Sequence, residues 1–491
     1  MKNFIELIYL CSPYILAAAP LLALCVVAFK PSPLVQSLSM LFHAIGHLAA
    51  ALAIIICAGS GALQIGNLFI FDRLAGYVLL IQSLVFLAVS VYNIDFVHRH
   101  EEHSYKKKLR SYHLAAMLFV LAMDGAICSG GVGMFWVFLE ASTIVSAWMI
   151  IHHSSRRALE ATWKYIFICS IGIIFAFIGI LLFSTANGGN LDWQSIPAEG
   201  NGIFFKIAIP FLVIGFGCKA GLSPMHNWLP DAHSEAPSPI SAMLSATLLN
   251  AAFAGIIRLD NFFAGSEFEH YLTTLLLVMG FMSIFIPAVY IMKAKDFKRM
   301  LAYSSVENMG IIAIGFGLGG AGILGGLIHM AAHSLVKGGL FLTAGNIYSI
   351  FHTKRIAGVR NLLRISPVSG ILWLLGVVGI TGSPPFLTFR SELLVVRQML
   401  TMKYGLPMAL LFFGLLTIIL GWMFRHVLAM CSPKALSESS QLRIEEDKIK
   451  IFFPVSTYFA ILGLFIPALI FGFYLPDWAV SFLQQIMERA K

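Results

Sequence analysis

Residues 203–239 read IFFKIAIPFLVIGFGCKAGLSPMHNWLPDAHSEAPSP, an apolar run with a lysine near its end and a Gly-Leu-Ser-Pro interruption directly after it. About 20 apolar residues are enough to cross the hydrocarbon core of a membrane. A lysine at that depth costs roughly 2.5–3.5 kcal/mol on insertion scales, so lysines are rarely found there without a function. Lys219 is such a lysine. The interruption leaves backbone groups unpaired, which a membrane interior tolerates only beside protein or a water-filled cavity. Lys219 and the break together predict a proton-handling site inside a membrane protein.

The composition of the whole chain fits that setting. Of its 491 residues 58% are hydrophobic and 12% are charged, and the mean hydropathy is +0.84, which is far from the usage of soluble domains. We predict an all-α polytopic membrane protein with about 14 transmembrane helices, of which the fourth and fifth nearly touch and the eleventh and twelfth are long enough to be bent or broken. The predicted spans lie near 5–29, 35–58, 74–95, 112–130, 132–151, 163–184, 203–222, 239–258, 271–292, 300–319, 322–351, 367–401, 405–428 and 451–474.

The basic residues predict the orientation of the chain. Of the 33 lysines and arginines, 22 lie in loops that follow odd-numbered spans. Loops rich in these residues stay cytoplasmic, so both termini are expected on the opposite side of the membrane. The same bias accounts for the net charge of +9, so it implies no nucleic-acid partner.

Motifs for bound cofactors are missing from the sequence. The seven cysteines are scattered without a Cys-x-x-Cys pair, and the sequence has neither a P-loop nor a Gly-x-Gly-x-x-Gly fingerprint after a strand. We therefore expect no metal, no cofactor and no redox catalytic residue in this chain. The first apolar stretch is a full span without a cleavage site, which predicts that it is not a cleavable signal.

Two spans are interrupted in the same way, by CKAGLSPMH at 218–226 and by GITGSPPFLTFRSE at 379–392. The two breaks are five spans apart, so the units that carry them have opposite topology. Inverted repeats with broken helices at mid-depth are typical of ion-translocating proteins. Purely structural kinks are the alternative, because Gly and Pro are common in membrane helices.

Glu140 is a carboxylate with apolar neighbours on both sides, within FWVFLEASTIVSAW of the fifth span. An opposite charge within a few ångströms favours the ionised state of a buried group. Lys219 is the natural counter-charge, and we expect the two to form a pair. Lys206 lies near the start of the seventh span, where a lysine extends its amine to the membrane surface.

A polar stripe follows the eleventh span, where His329, His333 and Lys337 recur at i, i+4 and i+8. This spacing puts the three side chains on one helix face, and histidine titrates near neutral pH, so the stripe predicts a proton relay. Glu392 follows the second break, two residues after Arg390. Mid-membrane carboxylates mark ion pathways, so we predict Glu392 at a pathway opening, with Arg390 close enough to stabilise its charge.

Other polar residues leave two interpretations open. His43 and His47 of the second span favour helix–helix contacts, and haem ligation together with His329 and His333 is the alternative. Asp124 of the fourth span fits a pathway and an interface equally well.

The loop after the first break carries His226, Asp231, His233 and Glu235. The last three have the chemistry of metal ligands. The prolines around them favour a role in holding this loop in place beside the broken helix.

Four stretches of the sequence resemble one known family over nearly the whole chain: the antiporter-like, proton-pumping membrane subunits of respiratory complex I and of energy-converting membrane-bound hydrogenases. The four stretches are KAGLSPMHNWLPDAHSEAPSPISAMLSATLL (219–249), DFKRMLAYSSVENMG (296–310), HMAAHSLVKGGLF (329–341) and PPFLTFRSEL (384–393). The first of them is long and specific.

The resemblance implies two inverted five-helix repeats that form half-channels, with helices 7 and 12 broken. The implied divisions are an N-terminal three-helix segment at 1–111, spans 4–8 at 112–260, spans 9–13 at 261–431, and a cytoplasmic loop with the last span at 432–491. It assigns Glu140 and Lys219 to the charge pair of the first half-channel, His329, His333 and Lys337 to the connecting axis, and Glu392 to the second half.

Position 250 departs from the family pattern, which commonly has a lysine there. Asn250 cannot carry a proton, so transfer to the eleventh span would depend on water beside Asn250 or on Glu307. This substitution, with SSVENMG at 304–310, resembles the F subunit of hydrogenase-4-type formate hydrogenlyase complexes.

The resemblance therefore implies a proton-translocating subunit of the bacterial inner membrane, with periplasmic termini, driven by other membrane and peripheral subunits. A nickel–iron centre and iron–sulfur clusters are expected in those partners. The alternatives are an antiporter-like subunit of complex I, a subunit of a Na⁺/H⁺ antiporter or inorganic-carbon uptake system, and a quinone- or haem-binding redox subunit.

Overall fold

The computed structural model describes residues 2–29, 32–57, 61–99, 103–153, 155–195, 202–433 and 451–487. Within them the chain is a bundle of α-helices with one short β-hairpin. The helices are α1 Lys2–Ala28, α2 Pro33–Cys57, α3 Arg73–Arg99, α4 His103–Ile127, α5 Val132–Ile150, α6 Arg156–Ala186, α7 Gly202–Lys219, α8 Trp228–Glu235, α9 Ser238–Met243, α10 Leu249–Phe262, α11 Glu269–Met292, α12 Phe297–Leu318, α13 Ala321–Phe351, α14 Leu362–Ile365, α15 Pro367–Ile380, α16 Leu387–Met399, α17 Gly405–Cys431, α18 Val455–Phe473 and α19 Asp477–Met487.

Eleven spans within the described residues are long and apolar enough to cross a membrane, with α9, a π turn at Leu244–Leu248 and α10 forming one of them. They confirm the prediction of a polytopic helical membrane protein. The three other predicted spans fall on α4, on α13 and on the pair α15 and α16. α13 runs through 31 residues as one helix, so of the two expectations for the eleventh span, bent or broken, the break is absent.

Both predicted breaks are present as interruptions between helices. α7 ends at Lys219 and the chain becomes helical again at Trp228, and α15 ends at Ile380 before α16 begins at Leu387. Gly221 and Gly382 follow the two helix ends with φ of 76° and 65°. This left-handed conformation favours glycine, which explains why each break contains one.

Loops that follow even-numbered spans meet at one end of the bundle. The hairpin of β1 (Leu63–Ile65) and β2 (Phe69–Phe71) pairs Leu63 with Phe71, and isolated bridges join Phe69 to Ser129 and Gly131 to Asp192. At the opposite end, Asp296 bridges to Arg355. The alternation of the loops between two ends is what successive membrane crossings require.

α13 lies at the centre of the bundle and packs against α3, α12, α15, α16 and α18. Its residues from Gly325 to Ile347 are almost all buried. The charged residues that α13 carries are therefore enclosed by protein rather than by lipid.

Candidate functional site

Lys219 is fully buried at the last residue of α7. Its amine donates to Thr143 Oγ1 of α5 at 2.7 Å and to the hydroxyl of Tyr165 of α6 at 3.1 Å. The Tyr165 hydroxyl also lies 2.6 Å from Ser146 Oγ. Two helices thus supply hydroxyl groups to the amine, which replaces part of the hydration that burial removes.

Glu140 reaches Lys219 through Thr143. The Thr143 hydroxyl lies 3.0 Å from Glu140 Oε2 and 2.7 Å from the Lys219 amine, and no direct ion pair joins the two charges within the described residues. Because Thr143 accepts from the amine, its own proton is free to be donated to the carboxylate. The expected pair is therefore bridged by one hydroxyl.

The carboxylate of Glu140 lies at the surface of the bundle, where it is half-buried. Its neighbours on the outer face of α5 are Val137, Ile144 and Trp148, which are 49%, 67% and 59% exposed. The apolar side chains suit contact with lipid, whereas a carboxylate at this position is costly in lipid and marks a functional residue.

The break after Lys219 packs against α8, α10 and α11. A Cβ atom at Gly221 would meet Leu229 and Leu249, and the backbone N–H of Ser223 donates to Ser283 Oγ of α11 at 2.8 Å. These contacts satisfy part of the unpaired backbone that the interruption creates. They also place the break beside Leu249, the residue before Asn250.

Asn250 contacts the central helix directly. Its amide nitrogen donates to Met330 O at 3.1 Å and to Ser334 Oγ at 2.6 Å, both on α13, and Ser334 donates to Ala246 O. Asn250 Oδ1 is buried and has no hydrogen-bond partner among the described residues. The residue therefore lies between the Lys219 region and the α13 stripe.

His329 is buried between α12 and α16. Its Nδ1 lies 2.8 Å from Ser391 Oγ, and its Nε2 lies 3.0 Å from Asn308 Oδ1. The Asn308 amide nitrogen donates to Ser304 O, so Asn308 Oδ1 accepts and the ring nitrogen Nε2 carries a proton. A neutral His329 accepts from Ser391 at Nδ1 only when the Ser391 proton turns away from Thr388 O, which lies 2.7 Å from the same hydroxyl.

Lys337 lies two turns along α13 from His329 and is also fully buried. Its amine donates to Leu301 O and to Ser304 Oγ of α12. Ser304 O also accepts from Asn308, so Ser304 and Asn308 connect Lys337 to His329 through α12.

His333 and Glu307 complete this buried group. Both ring nitrogens of His333 and Glu307 Oε2 have no hydrogen-bond partner within the described part of the chain. Glu307 lies within electrostatic range of Lys337 and Glu392. The expected i, i+4, i+8 stripe is thus surrounded by further ionisable residues from α12 and α16.

Glu392 packs against the glycine of the second break. A Cβ atom at Gly382 would meet the Glu392 carboxylate, and the φ of 65° at this position favours glycine. No ion pair joins Arg390 to Glu392 among the described residues. Residues two apart on a helix point about 200° apart, which accounts for the missing ion pair. A longer-range effect of Arg390 on the charge of Glu392 stays a prediction.

The short helix α8, which follows the first break, is held by ion pairs to α6, to α12 and to the loop after α13. Asp231 pairs with Arg299 and with Lys164, and Glu235 pairs with Lys354 at 2.9 Å. These contacts fix α8 against α6 and α12.

The two histidines that follow the first break make no ion pair in the described structure. His233 is buried and stacks on the Phe341 ring with centroids 5.0 Å apart. His226 is also buried, and its Nδ1 has no partner among the described residues.

Two further residues, Asp124 and Lys206, do not contact the buried polar residues described above in the described part of the chain. Asp124 contacts His47 and Gln82 at the α2, α3 and α4 interface. Lys206 is 53% exposed and lies 3.7 Å from Glu267 at the start of α7. Among the described residues, no group of three or more His, Cys, Asp and Glu side chains could hold a metal ion.

Sequence reasoning missed the uncharged residues that connect the charged ones. Thr143 lies three residues after Glu140, so helical spacing could have found it. The other connecting residues come from different helices and carry no signal of their own in the sequence; they are Tyr165, Asn308, Ser334 and Ser391.

Comparison with known proteins places these residues in a family. Residues 129–421 match the transmembrane family described as NADH:quinone oxidoreductase/Mrp antiporter. The chain is 32% identical over 418 residues to a hydrogenase-4 component F homolog of Methylacidiphilum infernorum (isolate V4), which covers 82% of this chain and 86% of that protein.

Two solved structures share the fold. One is a chain of the membrane-bound sulfane sulfur reductase, an archaeal respiratory membrane complex, with a TM-score of 0.84 and 20% identity over 97% of this chain and 96% of that chain. The other is a chain of the Mrp complex from Dietzia sp. DQ12-45-1b, with a TM-score of 0.84 and 18% identity over 98% of this chain and 97% of that chain. At such low identity they show the fold alone. The family match covers more than half of the chain and confirms the resemblance of its motifs, so this protein belongs to the NADH:quinone oxidoreductase/Mrp antiporter transmembrane family.

Proposed function

We propose that this chain is the proton-translocating membrane subunit of a redox-driven complex, of the membrane-bound nickel–iron hydrogenase type found in hydrogenase-4 and formate hydrogenlyase. The observation that carries the proposal is the set of buried ionisable residues inside the membrane bundle, from Lys219 to Lys337 and Glu392. Ionisable residues at this depth are costly and mark ion pathways. The similarity to a hydrogenase-4 component F homolog supports the hydrogenase type.

The contacts suggest the order of the route. Glu140 connects through Thr143 to Lys219, and Asn250 lies between this region and α13. From α13 the line continues through Ser304 and Asn308 to the His329 ring. The last members are Ser391 and Glu392 of α16, beside the second break.

Water would complete the route between Asn250 and Lys337. Asn250 Oδ1, the His333 ring nitrogens and Glu307 Oε2 are buried without protein partners in the described residues. Buried polar groups are ordinarily hydrogen-bonded, and internal water serves such groups when protein does not. A proton can then pass Asn250, although its amide cannot carry one.

The route implies a membrane topology. Adding α4, α13 and the pair α15 and α16 to the eleven apolar spans yields fourteen crossings. Spans 4–8 and 9–13 would be two inverted repeats, each with one broken helix. The bias of basic residues then places both termini in the periplasm of a bacterial inner membrane.

The driving energy would come from partner subunits. Moving one charge against 100 mV takes about 2.3 kcal/mol, and redox centres such as a nickel–iron site and iron–sulfur clusters would supply it from other chains. The apolar surface around Glu140 is a suitable contact for a neighbouring subunit. Charge movement in that neighbour would act first on Glu140 and then, through Thr143, on Lys219.

The proposal is tested by purifying the complex from its native membrane through a tag on this chain and identifying the other subunits. Nickel–iron hydrogenase subunits, together with proton uptake by vesicles during hydrogen turnover, are the expected result. Small antiporter subunits and Na⁺-dependent flux would instead support the second candidate, a subunit of a Na⁺/H⁺ antiporter, which the shared Mrp fold favours.

Thr143→Val should lower redox-driven proton flux by about threefold to tenfold, or about 0.7–1.4 kcal/mol in the barrier. Valine keeps the size of threonine but removes the hydroxyl that joins Glu140 to Lys219. Flux is measured in vesicles and divided by membrane abundance. Thr185→Val is the control, because that hydroxyl only contacts the backbone of its own helix. Equal flux in both variants would show that the bridge is not used.

The proton flux of Asn250→Leu should be about tenfold lower than that of Asn250→Lys. Leucine excludes water and leaves Ser334 Oγ without its amide donor, whereas lysine restores the common family residue. Both variants are compared in the same vesicle assay. Equal flux in the two variants would place the route away from position 250.

A further inference from the structure

A second buried acid–histidine group lies in the helices that precede the proposed route. His47 of α2 is fully enclosed, with Nδ1 2.6 Å from Ser83 Oγ and Nε2 2.8 Å from Asp124 Oδ1. Gln82 of α3 donates to the same carboxylate oxygen at 2.6 Å. α3 lies between this group and α13. The Tyr77 hydroxyl of α3 donates a hydrogen bond to Leu327 O of α13.

The hydrogen bonds let His47 gain or lose one proton with little rearrangement. Nε2 faces a carboxylate, so it carries a proton in either state. Ser83 Oγ has one proton, and it lies within reach of both Leu79 O and His47 Nδ1. When the Ser83 proton points to Leu79 O, Nδ1 donates and the ring is an imidazolium. When it points to Nδ1, the ring is neutral.

Each protonation state of His47 is accompanied by polar contacts. The imidazolium forms a neutral pair with the Asp124 carboxylate, and buried charges require such pairing. When His47 is neutral, Asp124 Oδ1 keeps hydrogen bonds from Nε2 of the ring and from Gln82, and Oδ2 has no hydrogen-bond partner among the described residues. Rotation of one hydroxyl therefore separates the two protonation states of the ring.

A proton acceptor lies next to this pair. His43 is fully buried one turn earlier on α2, with its ring centroid 6.3 Å from that of His47. Neither ring nitrogen of His43 has a hydrogen-bond partner among the described residues. Its ring packs edge-on against Phe86, which holds it in place without using a nitrogen.

The remaining neighbours of His47 and Asp124 are an apolar contact from α1 and a small set of polar groups beyond Asp124. α1 packs on this part of α2 with Ala19, against Gly46. Beyond Asp124, toward the end of the bundle, lie Cys128 and the ion pair of Arg258 with Asp72, in which Asp72 is 27% exposed. This pair links the surroundings of Asp124 to the surface.

We propose that His47, Asp124, Gln82 and Ser83 form a further proton-binding site, which holds one exchangeable proton on Nδ1 of His47 and exchanges it through His43. The proton added to Nδ1 is the same proton released from it, so no other reactant is needed. The site belongs to the segment 1–111 and its contact with α4, and it does not depend on the proposed redox partners.

The test is nitrogen NMR of the full-length chain with labelled histidine in lipid nanodiscs, with the His47 signal identified by its loss in His47→Gln. We expect spectra recorded over a series of pH values to show His47 both as imidazolium and as neutral imidazole. His113 is the internal control, because it is equally buried but faces Leu109 O and Ser37 rather than a carboxylate. It should stay in one neutral form.

Two variants decide the roles of the neighbours. Asp124→Asn has the same shape and should abolish the change of state at His47. His43→Phe keeps the packing on Phe86 and should slow exchange of the Nδ1 proton by at least about tenfold. A wild-type His47 in a single state across the range, an unaltered change in Asp124→Asn, or unaltered exchange in His43→Phe overturns the proposal. Because no flux is measured, failure here leaves the proposed function of the chain untouched.

Discussion

Replacing Lys219 by methionine should lower redox-driven proton translocation by at least about tenfold, a barrier increase of about 1.4 kcal/mol or more. Methionine fills a similar volume but has no proton to exchange and no charge to attract Glu140. The hydroxyls of Thr143 and Tyr165 lose their common donor, and Thr143 no longer bridges two charges. The measurement is proton uptake by vesicles that contain the intact complex, relative to the rate of the redox reaction.

Lys206→Met is the matched control for this prediction, since both lysines lie on α7. Lys206 is exposed and contacts only Glu267 and the Phe268 ring among its charged and aromatic neighbours in the described structure. Its loss should change flux by less than about twofold, as expected for a surface ion pair worth about 0–1 kcal/mol. Wild-type flux in Lys219→Met, with normal assembly, would remove Lys219 from the route.

Glu392→Gln should block proton flux to a similar extent while the protein still assembles. Glutamine has the shape of glutamate and fits against Gly382, but it cannot bind and release a proton near neutral pH. Glu392→Asp keeps the carboxyl group one methylene farther back, so part of the flux should remain. Flux and membrane abundance are measured side by side in the two variants.

Arg390→Gln separates a role in proton transfer from a role in anchoring. No ion pair joins Arg390 to Glu392 in the described structure, so loss of the guanidinium should leave flux near the wild-type level. If Glu392 only anchored its surroundings, both Glu392 variants would lose abundance rather than flux per molecule. Normal flux in Glu392→Gln would contradict the proposed opening.

Gly382 shows why the opening needs a break in the helix. Its φ of 65° favours glycine, and the Glu392 carboxylate lies where a side chain at this position would begin. The turn therefore brings the carboxylate against backbone at the point where α15 has ended. Water has access to such an interruption more readily than to a continuous helix.

The amino-acid sequence by itself determined the membrane helices, the two breaks and the ionisable residues inside the apolar runs. These features are local. A run of apolar residues must be helical in lipid because its backbone groups have no other hydrogen-bond partners. Glycine, serine and proline close together disfavour continuation of the helix, although single prolines lie within helices such as α7 and α11. The spacing of His329, His333 and Lys337 on one face is likewise a property of a single helix.

Only the tertiary structure decided which polar groups meet. Tyr165 reaches Lys219 from α6, and His329 finds its partners on α12 and α16, because helix rotation and tilt bring them together. That rotation is set by the packing of small and large side chains along each helix, which no pattern of polarity records. The same packing joins His47 to Asp124 across 77 residues of sequence.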